Sequence, residues 1–248
     1  MDYWRSEMPV AIVTGGSRGI GRAIAERLGA DGATVVVNYR SDRASARRVV
    51  ARIEETGGRA VAAEGDVTDA TKLRGLFDLA EERFGGVDAF VNNVGATRFG
   101  TLAQATDEDY DLMFETNAKA TFVGLREAAN RLRDNGRIVV VSSGVTATHR
   151  VGTGLYGASK AAGEQLVRVL ARELGPRGIT VNSVTPGAVR TEALAATADP
   201  KSTADAASAT PLRRLAEPDD IADIVGFLVS DAARWVTGQT VGAGGGLF

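Results

Sequence analysis

The sequence predicts an α/β fold: one parallel β-sheet with helices on both faces. Three observations carry this reading. Short runs rich in Val and Ile alternate with longer segments whose apolar residues recur three and four apart, the arrangement that lays helices over a parallel sheet. The runs are continuously apolar, as in "IVVV" from Ile138, which suits strands covered on both faces. A glycine-rich turn, "TGGSRGIG" from Thr14, joins the first run to the first helical pattern.

In chain order, the predicted strands are "VAIVT" from Val10, "TVVVNY" from Thr34, "AVAAEGDV" from Ala60 and "DAFVNN" from Asp88. They continue with "RIVVVSS" from Arg137, "ITVNSV" from Ile179 and "QTVGA" from Gln239. Helical patterns such as "IAERLGA", "LRGLFDLAEERF" and "LYGASKAAGEQLVRVL" lie between them. The stretch from Ala188 to Pro218 differs, being rich in Ala, Thr, Ser and Asp with few bulky apolar residues. It buries little area, so it reads as a mobile excursion covering a site, with a plain exposed insertion as the alternative. No linker or repeat divides the chain. Residues 1–248 are therefore expected to form one Rossmann-type, doubly wound domain with a mostly parallel seven-stranded sheet.

Composition narrows the function classes. The 248 residues are 44% hydrophobic and 24% charged, with a net charge of −2, so no basic excess points to nucleic acid. The start, "MDYWRSEMPV", lacks the basic and apolar regions of a secretory signal. No run approaches the roughly 18 apolar residues of a membrane helix. Cysteine is absent, which removes disulfides, thiolate catalysis and Cys-based metal sites and is compatible with a cytoplasmic protein. No metal site is expected; His149 is the single histidine and reads as loop packing or pocket lining.

Gly15, Gly19 and Gly21 of the loop permit a tight turn and close approach of backbone to a phosphate, at a helix N-terminus with free N–H groups and a positive dipole end. The spacing is G-x-x-x-G-x-G rather than the commoner dinucleotide fingerprint, and strand–helix turns also use glycine for geometry alone. The second strand ends at Tyr39 and Arg40, near the place where an acidic residue would bind an adenosine ribose and favour NAD. Arg40, with Arg18 inside the loop, suits the 2′-phosphate of NADP(H); solvated surface arginines are the plainer alternative.

Tyr156 and Lys160 stand four residues apart on a predicted helix and so share a face. A free phenol has a pKa of about 10. An ammonium about 4 Å away contributes roughly 4 kcal/mol at an effective dielectric near 20, enough to lower that pKa by up to about three pH units. Such a phenol gives a proton to a carbonyl or takes one from an alcohol. Thirteen residues before it, Ser143 ends a predicted strand, where ligands gather in open α/β sheets. A lone Tyr-x-x-x-Lys can equally be a solvated helix face; the strand-end serine and the glycine loop strengthen the catalytic reading.

With "TGGSRGIG", Asp66-Val67, "NNVG" from Asn92, Asn117, Ser143, Tyr156, Lys160 and "PGAVRT" from Pro186, the chain resembles the short-chain dehydrogenases/reductases from about Val10 to its end. The resemblance implies that Ser143 polarises the carbonyl and Tyr156 is the general acid or base. It further implies that Lys160 lowers the tyrosine pKa and holds the nicotinamide ribose, and that Asn117 steadies a water in a proton relay. It assigns the cofactor to the loop residues Gly15, Ser17, Arg18, Gly19, Ile20 and Gly21 and to Tyr39 and Arg40. It adds Asp66 and Val67 at the adenine, Asn93 and Gly95 on the adenosine side, and Pro186, Gly187, Val189 and Thr191 near the carboxamide. Two departures stand out. Val94 replaces the usual Ala of "NNAG", and "GAGGG" stands where relatives often read Asp-Gly-Gly.

The wording is nearest to 3-oxoacyl-carrier-protein reductases. Arg177 suits an acidic carrier protein, but Asp134 puts a negative charge where a basic residue is common, and Arg213 and Arg214 offer another anion contact. The expected activity is NADP(H)-dependent reduction of a ketone or 3-oxoacyl substrate. The alternatives are an NAD(H)-dependent secondary-alcohol or sugar dehydrogenase and a non-catalytic dinucleotide sensor. The resemblance also implies a homotetramer, pairing helices around Asp107–Arg133 and Gly154–Gly175.

Overall fold

The computed structural model describes residues 9–197 and 199–248; the first eight residues of the opening segment discussed above lie outside the described residues. Seven strands form one sheet in the order β3-β2-β1-β4-β5-β6-β7. They are β1 Val10–Val13, β2 Thr34–Tyr39, β3 Arg59–Glu64, β4 Val87–Asn92, β5 Leu132–Val141, β6 Thr180–Pro186 and β7 Thr240–Ala243. All six pairings are parallel. The order reverses between β1 and β4, which opens a crevice at their carboxyl ends.

Successive strand residues face opposite sides, and the core divides accordingly. Ile12, Phe90, Ile138 and Val181 pack with Leu73, Leu76 and Phe77 of helix α3 (Ala70–Phe84), Val123 and Ala128 of α5 (Ala120–Arg131) and Val167 of α7 (Gly154–Leu174). Ala11, Val13, Val35 and Val139 meet Ile24 and Leu28 of α1 (Gly19–Ala30), Ile53 of α2 (Arg43–Glu55) and Val225 and Leu228 of α10 (Pro218–Val229). Helices therefore cover both faces, as the continuous apolar runs required. Asp42 and Asp69 cap α2 and α3 by accepting from Ser45 N and Thr71 N, satisfying amides that have no partner within the helix.

Some boundaries differ from the sequence reading. The "AVAAEGDV" strand stops at Glu64, because Asp66 turns the chain by accepting from the Thr68 amide at 3.0 Å. The helical span after residue 106 is α4 (Asp107–Met113), a π-helical turn (Phe114–Lys119) and α5. The stretch from Ala188 to Pro218 contains two helices, α8 (Glu192–Thr197) and α9 (Pro200–Ala209). Its Leu215 is buried, and Val189 pairs with Ala216 in an isolated bridge. The start of α9 is fixed by a side-chain cap: Asp199 accepts from Ser202 N at 2.9 Å and Pro200 opens the helix. Among the described residues, no helix is long and apolar enough to cross a membrane.

Candidate active site

The crevice begins at the glycine loop. Gly15 adopts φ +61°, its amide donates to Asn38 Oδ1 at 3.2 Å, and the Gly16 amide donates to the Asn38 carbonyl at 2.8 Å. A Cβ on Gly21 would lie 2.2 Å from the Gly15 carbonyl oxygen, so a side chain there would force the loop apart. Asn93 ties β4 to the loop by donating to the Thr14 carbonyl at 3.1 Å, while Thr14 Oγ1 accepts from the Asn93 amide at 2.9 Å. Val94 also meets the loop, with a methyl 3.0 Å from where a Gly15 Cβ would be.

Arg18 gives α1 no side-chain cap. Instead Glu192 reaches across from α8: its Oε2 accepts from the Gly19 amide at 3.1 Å and its Oε1 pairs with Arg22 at 2.9 Å. Its own amide, then Arg22 and Gly19, hold its carboxyl below the usual range against the opposing effect of burial. A carboxylate thus stands where helix geometry recruits anions. The loop fits a dinucleotide phosphate on that observation, and Ser17 and Ile20 lie along the same turn. Thr191 adjoins Gly19, its methyl 3.3 Å from a Cβ built there. The rest of "PGAVRT" reaches the crevice from the end of β6: the Pro186 carbonyl accepts from Gly144 N at 2.8 Å, and the Gly187 amide donates to Ala243 at 3.1 Å.

At the end of β2, Arg18 is exposed and Arg40 extends into solvent, 4.0 Å from an Asp66 oxygen. Burial acts to raise the Asp66 pKa, but the Thr68 amide and hydroxyl, with Arg40, bring it below the usual value. Tyr39 is buried, and its hydroxyl donates to Glu64 at 3.1 Å and accepts from Arg43 at 3.1 Å. Val67 is also buried. Of this group, the two arginines are exposed and Asp66 is half-buried.

The residues expected to react come from three elements. Ser143 lies just past β5, half-buried, its Oγ 3.4 Å from the Val145 amide. Tyr156 and Lys160 occupy the first turns of α7. Tyr156 is half-buried with its ring against the edge of Phe99 at 6.0 Å. Lys160 is buried and donates to the Val141 carbonyl at 3.1 Å; burial pushes its pKa down to about 8, opposed by the charge of Glu164. Asn117 sits in the π-helical turn, the kind of distortion that re-aims side chains at functional sites. Its Oδ1 accepts from Ala96 N at 2.9 Å, and its Nδ2 donates to the Ala96 carbonyl and to Ser159 Oγ, each at 2.9 Å. Ser159 in turn donates to the Tyr156 carbonyl at 2.8 Å. Gly95 shows how tightly these groups converge, because a Cβ there would lie 2.7 Å from Lys160 Nζ and 2.9 Å from Asn117 Oδ1.

Sequence reasoning missed Asn38, Thr14, Ser159, Glu164 and Glu192. Two carried a signal: Thr14 heads the glycine-loop motif, and Glu164 stands four residues from Lys160. Other candidates are occupied elsewhere. Arg177 binds Asp134 at 2.8 Å and the Ala129 and Leu132 carbonyls, Arg213 donates to the Ser208 carbonyl, and Arg214 holds Asp220. His149 is exposed and ends a short helix, α6 (Val145–Thr148), with φ +50°. Among the described residues no cluster of potential metal ligands is found.

Residues 15–247 match the family model described as enoyl-(acyl carrier protein) reductase. An uncharacterised oxidoreductase of Methylorubrum extorquens is 43% identical over 243 residues, 97% of this chain and 98% of that protein. The chain belongs to the short-chain dehydrogenase/reductase family. A versicolorin reductase of Emericella nidulans is 39% identical over 259 residues, covering 100% of this chain and 98% of its own. The solved structure of an angucycline C-6 ketoreductase with bound NADP matches with a TM-score of 0.91 at 39% identity, over 96% of this chain and 95% of that one. The expected family and the seven-stranded fold are thereby borne out.

Proposed function

We propose that this protein is an NADP(H)-dependent reductase of ketones, acting in reverse as a secondary-alcohol dehydrogenase. The observation that carries the reading is the convergence of Asn117 and Lys160 on Gly95, on the helix that bears Tyr156 and behind the strand end that bears Ser143. Bound NADPH supplies the hydride. Ser143 donates a hydrogen bond to the carbonyl oxygen and orients it. Tyr156 gives that oxygen its proton as negative charge develops there. The buried ammonium of Lys160 stabilises the phenolate left behind, strongly because water is excluded from it. Asn117, held at Ala96 and Ser159, keeps the π-helical turn packed against Lys160. Two hydroxyl donors for one oxygen suit a carbonyl becoming an alcohol better than the carbon–carbon double bond named by the family model.

Arg18 and Arg40 support NADP(H) over NAD(H). The approach past Tyr156 is edged by Phe99, whose ring meets it at a steep angle and is largely exposed. That apolar ring and the engagement of Arg177 favour a small-molecule ketone over a carrier-bound 3-oxoacyl thioester. The relatives named for versicolorin and an angucycline point the same way. The family resemblance supports a homotetramer, and the absence of cysteine is compatible with the cytoplasm.

The test is NADPH oxidation against a panel of ketones, β-ketoacyl thioesters, sugars and quinones, with Tyr156→Phe alongside. Turnover of the responding substrate should fall by about a thousandfold in the variant, with NADPH affinity nearly unchanged. Retained turnover overturns the mechanism.

A further inference from the structure

Glu164 is a buried carboxylate one helical turn beyond Lys160, only 5% exposed. Its Oε1 accepts from two hydroxyls: Ser142 Oγ at 2.6 Å and Thr146 Oγ1 at 2.8 Å. Those donors bracket Ser143, one preceding it at the end of β5 and the other following it in α6. Thr146 Oγ1 also reaches the Ser143 carbonyl at 2.9 Å. The other carboxylate oxygen faces Arg168 at 3.7 Å. The charges that reach Glu164 are thus Lys160 and Arg168 on its own helix; β5 and α6 present hydroxyls. Burying a carboxylate is costly unless its lone pairs are used, and here they are used on the one loop that must be held still.

Ser143 and Tyr156 belong to different elements, and their relative placement sets how well both hydroxyls meet one oxygen. Ser143 itself makes only the long contact with the Val145 amide. We infer that Glu164 is a positioning residue for the carbonyl-reducing site, clamping the Ser142–Thr146 turn to α7 so that Ser143 is fixed relative to Tyr156. This rests on the reading of Ser143, Tyr156 and Lys160 as the reacting group. The same carboxylate supports the Lys160 ammonium, opposing the burial that drives it toward its neutral form.

Two variants of the full chain test this, with NADPH and a responding ketone. Glu164→Gln keeps an acceptor oxygen and the side-chain shape but removes the charge. The alkaline limb of its kcat/KM profile should move to lower pH by about half a unit or more, because Lys160 loses its nearby anion. Ser142→Ala combined with Thr146→Val keeps the carboxylate and removes the clamp. Its kcat should fall roughly tenfold or more, with NADPH affinity unchanged. Thermal unfolding and NADPH binding establish that each variant is folded; if one fails to fold, the other decides. Parental kcat in the double variant overturns the clamp, and an unmoved alkaline limb in Glu164→Gln overturns the electrostatic support. Tyr156→Phe in parallel separates the two levels. Retained turnover there defeats the site reading itself, whereas an inactive Tyr156→Phe beside parental Glu164→Gln and double variants defeats this inference alone.

Discussion

Lys160 carries its charge where burial opposes it, and the two pressures make opposite demands on stability and turnover. Its folded pKa of about 8 lies below the ordinary lysine value of 10.5, so the folded state releases this proton more readily than the unfolded chain. The charged lysine therefore destabilises the fold below pH 8, and that cost fades as the pH rises from 8 toward 10.5. Lys160→Met is expected to raise stability at pH 7 by up to about 3 kcal/mol, with a smaller gain at pH 10, while abolishing turnover. Thermal unfolding at the two pH values checks this; a gain that does not shrink at pH 10 contradicts it. Arg40 acts through charge of a different kind. It is exposed at the end of β2, so its substitution tests recognition with little effect on folding. Arg40→Asp should lower kcat/KM for NADPH at least about tenfold and raise it for NADH, because a carboxylate there repels the 2′-phosphate and accepts from the ribose hydroxyl. Steady-state kinetics with both cofactors decide; an unchanged preference removes Arg40 from recognition.

Glu192 joins the first helix to α8. Glu192 places its carboxylate on the Gly19 amide and Arg22, in the field that favours an anion at the start of α1. A dinucleotide phosphate approaching that loop meets the same charge. Glu192→Gln is expected to tighten NADPH binding by about two- to tenfold, read by fluorescence titration. Weaker binding would instead mark Glu192 as a brace that keeps the loop in shape. The helix pair α4 and α5 shows a related compromise. A π-helical turn interrupts it at Asn117, giving up regular hydrogen bonding to aim one amide at Ala96 and Ser159.

The sheet divides the core into two apolar layers, and the site sits where the strand order reverses, outside both. Further apolar surface remains on the exterior. Leu112 and Phe122 on α4 and α5 and Val169 on α7 are each more than 40% exposed, and Trp235 is 96% exposed near the start of β7. Side chains of this size in water suit burial against other copies of the chain, in keeping with the proposed tetramer. Val169→Glu is expected to reduce the assembly, since a charge at an apolar contact is left unpaired. Light scattering after size exclusion reads the mass; an unchanged tetramer takes the α7 surface out of the interface.

Much of this was legible in the order of residues. Six strand starts fall within one residue of the runs read from the sequence, the interior ones because strands covered on both faces are largely apolar; β5 begins five residues earlier, in the polar stretch "LRDNG". The Tyr156–Lys160 pair was legible because helical spacing fixes which side chains share a face. The helices α8 and α9 escaped a reading based on bulky apolar residues, since α9 buries no side chain. Asn38 and Ser159 left no trace, because each acts on residues distant in sequence or on backbone atoms that no motif spells out. Glu164 shows the boundary most plainly. Its spacing from Lys160 could be counted along the chain, but its grip on Ser142 and Thr146 exists only once β5 lies against α7, since contacts between separate elements follow from packing in space and local periodicity does not encode them.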